Sequence, residues 1–166
     1  MVSARSSALV ALMVAATTAL LLTQQADAGR VLTGDLCKNT DFPALCSSMV
    51  KSKVNAEKAT KSAINNIILK TREAKLSTSM TKGDKSLLDV CNEMYDTALS
   101  DLDTAVQNLK SGDKPSVQTN LSAVISDLET CVDTFAEANA KLPYEKMINL
   151  LEQMTSNSLA LAAKLP

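Results

Sequence analysis

Apolar residues recur at alternating steps of three and four along most of the chain, which is the spacing of one face of a helix in a bundle. Two such segments mirror each other on either side of Ser111 and Gly112. Upstream, the apolar positions are Leu109, Ala105, Leu102, Ala98, Tyr95, Cys91 and Leu88. Downstream, they are Val117, Leu121, Val124, Leu128, Cys131, Phe135 and Ala138. Folding the chain at this turn brings the two series face to face, so the pattern predicts antiparallel helices over residues 84–110 and 115–138.

The four cysteines fit the same geometry. Cys91 and Cys131 each lie twenty residues from Ser111, so a bond between them would lock the register of the helical hairpin near its far end. Cys37 and Cys46 remain, and a bond between them would close a short local hairpin. We therefore predict the disulfides Cys37–Cys46 and Cys91–Cys131.

Two more long helices are predicted from the same spacing, one over residues 52–77 and a last one that opens near Pro143. Their core positions are Ala56, Ala59, Ala63, Ile64, Ile67, Ile68 and Ala74, then Met147, Leu151, Met154, Ser158, Leu161 and Leu165. Short helices carry Cys37 and Cys46, and Asp41 and Pro43 are suited to cap and open the second. The predicted fold class is all-α, an antiparallel up-and-down four-helix bundle preceded by a short disulfide-clipped N-terminal helical hairpin.

The N-terminus has the features of a secretory signal peptide over residues 1–28. Arg5 provides a positive start, residues 8–22 form an apolar run, and residues 26–28 read Ala-Asp-Ala, a small-x-small cleavage site. The run is shorter than the ~20 residues that a membrane span needs. We expect a secreted protein without membrane association, whose single domain covers residues 29–166, with the hairpin over 29–50 and the bundle over 51–166. The even cysteine count agrees with an oxidising compartment.

Composition then narrows the chemistry. Aromatic residues make up only 2% of the chain and glycine numbers four, which favours helices over sheets. Histidine is absent, and the predicted disulfides leave no thiol for nucleophilic catalysis, zinc binding or haem attachment. Carboxylates such as Asp89 and Asp127 are interpreted as parts of solvated helix faces. We therefore expect no enzymatic activity, no cofactor and no metal site.

Charge is unevenly distributed although the net charge is only -1. Residues 51–85 contain nine basic and three acidic residues, a sum of +6, whereas residues 86–166 contain five basic and twelve acidic residues, a sum of -7. One interpretation is that the basic helix pairs with acidic neighbours in its own bundle. The other is that it docks on an acidic enzyme surface or an anionic polysaccharide. Nucleic acid is not an expected partner, because no aromatic residues interleave with the lysines.

Asn120 begins the only glycosylation sequon, Asn120-Leu121-Ser122. It lies beside the buried stripe of its helix rather than opposite it. Asn120 is therefore a candidate glycosylation site whose occupancy stays open.

Several short segments, together with the four-cysteine frame, resemble the plant invertase and pectin methylesterase inhibitor family. They are Cys37-Lys38-Asn39-Thr40, Phe42-Pro43-Ala44-Leu45-Cys46, Cys91-Asn92-Glu93-Met94-Tyr95, Leu109-Lys110-Ser111-Gly112-Asp113, Leu121-Ser122-Ala123, Thr130-Cys131-Val132-Asp133 and Ser156-Asn157-Ser158-Leu159-Ala160. The resemblance implies a secreted, non-catalytic bundle that binds one cell-wall or vacuolar carbohydrate enzyme and covers its active-site cleft.

Two departures from the family pattern bear on the target. Invertase inhibitors tend to carry Pro-Lys-Phe after Gly-Asp, whereas Lys114, Pro115 and Ser116 stand here. The stretch after Cys46 is also shorter than usual. The resemblance therefore favours pectin methylesterase over acid invertase. The candidate contacts are Asp113, Lys114 and Pro115, together with exposed positions of the basic helix.

Alternatives remain for both the turn and the whole protein. Ser-Gly-Asp-Lys-Pro is also ordinary loop chemistry, so the turn is equally well explained as a plain helix connection. From another functional class, a non-inhibitory secreted helical binding protein fits the same scaffold. The two departures also fit a divergent inhibitor that has no enzyme partner. The expected form is a monomer in the apoplast, with the vacuole as the other location.

Overall fold

The computed structural model describes residues 33–50 and 54–166, and all regular structure within them is helical. The helices are α1 Thr33–Lys38, α2 Pro43–Met49, α3 Ala56–Ser79, α4 Lys85–Ser111, α5 Lys114–Glu137 and α6 Glu145–Ala162. Each of α3 to α6 packs on its neighbour in the chain, and α3 packs on α6 to close the four-helix bundle. The predicted all-α class is confirmed. The predicted signal peptide lies outside the described residues.

The mirrored hairpin of α4 and α5 has the predicted register. Cys91 and Cys131 are bonded, with Cα atoms 4.7 Å apart. All predicted core positions of the two helices are buried except Ala138, which is exposed. That expectation was wrong because α5 ends at Glu137, and Ala138 follows as its C-cap. Within the described part of the chain, no helix is long and apolar enough to cross a membrane.

The first bundle helix spans Ala56–Ser79, whereas the predicted range was residues 52–77. α3 begins at Ala56 because the Asn55 side chain caps it, accepting a hydrogen bond from the Lys58 N–H at 2.9 Å. Its buried face also includes Thr60 and Thr78, whose hydroxyls donate to carbonyls one turn earlier. These buried threonines widen the core stripe without leaving those two hydroxyls unpaired.

The last helix is rotated slightly from its expected face. Ile148 is fully buried, whereas Met147, a predicted core position, is half-buried. The polar Ser158 is fully buried and donates to the Met154 carbonyl at 3.0 Å. Before α6, the Tyr144 hydroxyl donates to the Ser77 carbonyl at 2.8 Å. This bond ties the α5–α6 connection to the end of α3.

The N-terminal hairpin consists of α1 and α2 and is closed by the second disulfide. Cys37 and Cys46 have Cα atoms 5.5 Å apart, as their spacing predicts. Pro43 opens α2 as expected, but the expected capping role of Asp41 was wrong. Its carboxylate accepts a hydrogen bond from the Ser156 hydroxyl of α6 at 2.6 Å instead. Asp41 therefore joins the hairpin to the bundle rather than capping a helix.

Candidate functional site

The turn between α4 and α5 contains the predicted contact residues, and its geometry is set by a glycine and an aspartate. Gly112 has φ of 75°, the left-handed conformation that ends α4. Asp113 caps α5, accepting hydrogen bonds from the Ser116 hydroxyl at 2.7 Å and the Ser116 N–H at 3.1 Å. These two bonds, the hydroxyl first, lower the pKa of Asp113. The turn is therefore rigid, and it holds a charged carboxylate at the surface.

Lys114 connects the turn to the C-terminal end of the chain. Its Nζ donates to the Leu165 carbonyl at 2.8 Å. The two residues line a cleft of about 60 Å³, together with Glu57, Leu109, Gly112 and Pro166. Lys114 thus has an intramolecular role, and the cleft is too small for anything beyond a few atoms.

Pro115 and Asn120 follow on α5. Pro115 is exposed in the first turn of the helix, where its missing N–H has no helical partner to lose. Asn120 is half-buried, and its Nδ2 donates to the Ser116 carbonyl at 2.8 Å. The nitrogen that glycosylation would modify is therefore engaged within the helix.

Side chains of α6 and of the residues that follow it hold the N-terminal hairpin in place. The Asn157 amide is fully buried and bonds the backbone of Phe42. At the end of the bundle, the Lys164 Nζ donates to the Leu36 carbonyl at 2.6 Å. No sequence pattern singles out Asn157 as a clamp, because a polar residue in a helix gives no signal of its distant partner.

The outer face of α3 is basic and largely free of compensating charge. Among the described residues, only Lys75 of this helix pairs with a neighbouring helix, at Asp96 of α4. Lys70 pairs with Glu73 one turn along the same helix. Charge pairing inside the bundle therefore accounts for little of the basic character of α3.

This face also carries an open groove and exposed apolar residues. The groove has a volume of about 380 Å³, and we call it the α3 groove; it is lined by Val54, Lys58, Lys61, Ser62, Asn65, Asn66 and Leu69. Leu69, Leu76 and Met80 are 63%, 61% and 70% exposed. Positions 69, 76 and 80 share one side of the helix, since seven and eleven residues are close to whole numbers of turns.

Two carboxylates interact between α4 and α5. Burial first and the neighbouring charge of Asp101 second raise the pKa of Asp127 to about 6. Burial also raises the pKa of Asp101. One carboxylate oxygen of Asp127 is buried without a hydrogen-bond partner in the described structure. The interpretation of Asp127 as part of a solvated face was therefore wrong, because its side chain turns toward the α4–α5 interface.

The described side chains offer little catalytic chemistry. All four cysteines are in disulfides, and no group of three or more metal-ligating side chains gathers within the part of the chain that the structure describes. The described surface is therefore distinguished by its shape and its charge rather than by reactive side chains. The fold is that of a small helical bundle with two disulfides.

Comparison with known proteins agrees with this fold. Residues 32–161 match the family described as plant invertase/pectin methylesterase inhibitor. The chain belongs to that family, whose members are inhibitors. Two solved structures share its fold: a mutant form of a pectin methylesterase inhibitor from Arabidopsis, with a TM-score of 0.66, 17% identity and coverage of 81% of this chain and 97% of that one, and a pectin methylesterase inhibitor from Arabidopsis thaliana, with a TM-score of 0.61, 18% identity and coverage of 81% and 95%.

Similar sequences occur as parts of longer proteins. The chain is 28% identical over 148 residues to putative pectinesterase/pectinesterase inhibitor 45 of Arabidopsis thaliana, covering 78% of this chain and 24% of that protein. It is 30% identical over 152 residues to pectinesterase/pectinesterase inhibitor U1 of Solanum lycopersicum, covering 75% and 26%. The chain thus spans about a quarter of the length of these relatives, so their names do not assign it pectinesterase activity.

Proposed function

We propose that this protein is a non-enzymatic inhibitor that binds pectin methylesterase one to one and covers its active-site cleft. Its membership of the inhibitor family carries this proposal. The scaffold supports it, because two disulfides and a closed core present a rigid surface, and rigid surfaces lose less entropy on binding.

The proposed contact surface is the α4–α5 turn with Asp113, Lys114 and Pro115. Asp113 holds its charge at the surface through its capping bonds, and Pro115 is exposed beside it. Lys114 contributes more by fixing the turn to the C-terminal end than as a free cation. The absence of Phe after the turn supports pectin methylesterase ahead of acid invertase, which is the alternative target.

The remaining features of the proposal concern location and form. We propose a secreted monomer that acts in the apoplast, with the vacuole as the alternative, and whose signal peptide is removed. Two disulfides support an oxidising compartment. Asn120 is retained as a glycosylation candidate, although its engaged amide favours an unmodified side chain.

The test is an inhibition assay of the oxidised mature protein against purified pectin methylesterase and purified acid invertase. Calorimetric titration gives the stoichiometry of the complex. We expect saturable one-to-one inhibition of pectin methylesterase. If the protein inhibits neither enzyme, the proposal is contradicted and the non-inhibitory binding protein is favoured.

A matched pair of substitutions tests the turn. Asp113→Asn keeps an acceptor for the Ser116 N–H and removes the charge. Asp84→Asn is the control, because Asp84 caps α4 with the same pair of bonds, from the Ser86 N–H at 2.9 Å and its hydroxyl at 2.7 Å. We expect Asp113→Asn to weaken inhibition about tenfold and Asp84→Asn to leave it unchanged. Equal effects of the two variants would argue against a contact role.

A further inference from the structure

The α3 groove has the lining of a site for an acidic sugar chain. Lys58 and Lys61 stand three residues apart on the helix, which places their Cβ atoms about 5–6 Å apart, on the scale of one sugar residue. Neither lysine makes an ion pair within the described part of the chain. Two cations are therefore available to carboxylates that repeat along a polymer.

The polar wall of the groove is already formed. The Ser62 hydroxyl donates to the Met49 carbonyl at 2.8 Å. The Asn66 amide donates to the same carbonyl at 3.0 Å and to the Ser62 carbonyl at 2.8 Å. These bonds fix one side of the groove to the end of α2. A ligand would therefore meet a preorganised surface, which reduces the entropy lost on binding.

The other lining residues suit a sugar rather than a bare anion. Asn65 is exposed and offers both a donor and an acceptor to hydroxyl groups. Val54 and Leu69 supply aliphatic surface against which the C–H faces of a sugar ring can pack. The groove is open and has a volume typical of small-molecule sites, so it accommodates part of a longer chain.

Local electrostatics favour a negative ligand. Lys58 stands in the first turn of α3, at the positive end of the helix dipole, and the groove continues from there to Leu69. Glu57, the acidic residue of that first turn, lines the small cleft with Lys114 and does not line the groove.

We propose that the α3 groove binds a short stretch of a carboxylate-bearing polysaccharide. None of its lining residues belongs to the α4–α5 turn, so the groove and the proposed inhibitory turn are formed by different residues. The protein would then be held on a polymer with free carboxylates while the turn engages an enzyme. The binding itself does not depend on which enzyme is the target.

The test is calorimetric titration of the mature protein, at low salt, with a short oligogalacturonate and with its fully methyl-esterified form. We expect the free acid to bind, the ester to bind at least tenfold more weakly, and affinity to fall as salt rises. The double variant Lys58→Gln/Lys61→Gln should lose about tenfold in affinity. Asn65→Ala leaves the charge unchanged and should lose severalfold.

The matched control is Lys141→Gln/Lys146→Gln, which removes the same charge from exposed lysines around the α5–α6 connection. It should leave affinity nearly unchanged. Poly-glutamate serves as a protein-like polyanion and should bind more weakly than oligogalacturonate. Equal binding of poly-glutamate, equal losses in the two double variants, or no binding of the free acid would each overturn the proposal.

Discussion

The side-chain amide of Asn157 bonds both backbone polar groups of Phe42, accepting from its N–H at 3.1 Å and donating to its carbonyl at 2.9 Å. The two residues lie 115 positions apart in the chain. One fully buried amide on α6 therefore bonds the backbone at the N-cap of α2, whose carbonyl also accepts from the Cys46 N–H at 2.9 Å. The hairpin is positioned on the bundle by a directional clamp, in addition to apolar packing.

Replacing Asn157 should loosen the hairpin more than its small volume suggests. Asn157→Ala leaves the Phe42 N–H without its partner, while the Phe42 carbonyl keeps the hydrogen bond from the Cys46 N–H. The expected loss is about 1–3 kcal/mol of unfolding free energy. Chemical denaturation measures the loss, and faster amide exchange in α2 would locate it. The control is Asn149→Ala, which removes an exposed amide from the same helix. Equal losses for the two variants would contradict the clamp.

The Asp127 carboxyl should make stability depend on pH. Its pKa in the folded protein is about 6, above the ordinary value of 3.8, because of burial first and the charge of Asp101 second. A raised pKa means that the folded state holds the proton more tightly. Stability is therefore fully present below about pH 4 and is lost as pH rises through about 6.

The matched substitution is Asp127→Asn, which keeps the shape and removes the charge. We expect it to raise unfolding free energy at pH 7 by about 1–2 kcal/mol after screening of this half-exposed group, and to have little effect at pH 3. Denaturation at both pH values measures the difference. Asp133→Asn is the control on the exposed side of α5. A gain that is the same at both pH values would contradict the titration of Asp127.

The four long helices and both disulfides follow from local spacing, because a buried face repeats every three to four residues and the turn fixes the register. Cys91 and Cys131 are the clearest case. The roles of Asp41 and Asp127 did not follow from the sequence. Asp41 stands where a cap is expected but meets Ser156 from another helix, and Asp127 sits at the margin of its stripe, where small rotations decide burial.

The candidate site was predictable to a similar extent. The turn at Gly112 and the basic character of α3 are visible in the sequence. The bond between Lys114 and Leu165 is not, since it depends on the path of the chain after α6. The wall formed by Ser62 and Asn66 likewise depends on where α2 stops.

Replacement by alanine should destabilise the fold more at Gly112 than at Gly83, the other glycine that flanks a helix. Its φ of 75° disfavours any side chain, although a Cβ there would meet no atom within 4 Å. Gly112→Ala should therefore cost about 1 kcal/mol from backbone conformation alone. Gly83→Ala is the control, since its Cβ would make an ordinary contact with Leu88 at 3.4 Å. Thermal denaturation of both variants tests the order, and a larger loss at Gly83 would contradict it.

The two disulfides should differ in how much they stabilise the fold. Cys91–Cys131 closes a separation of 40 residues and Cys37–Cys46 one of nine. The chain-entropy model gives about 4 kcal/mol for the longer loop and about 2–3 kcal/mol for the shorter one. The hairpin also keeps its bonds to Asn157 and Lys164 when its disulfide is removed. Cys91→Ala/Cys131→Ala should therefore unfold at lower denaturant than Cys37→Ala/Cys46→Ala. The reverse order would mean that the hairpin depends on its disulfide more than on α6.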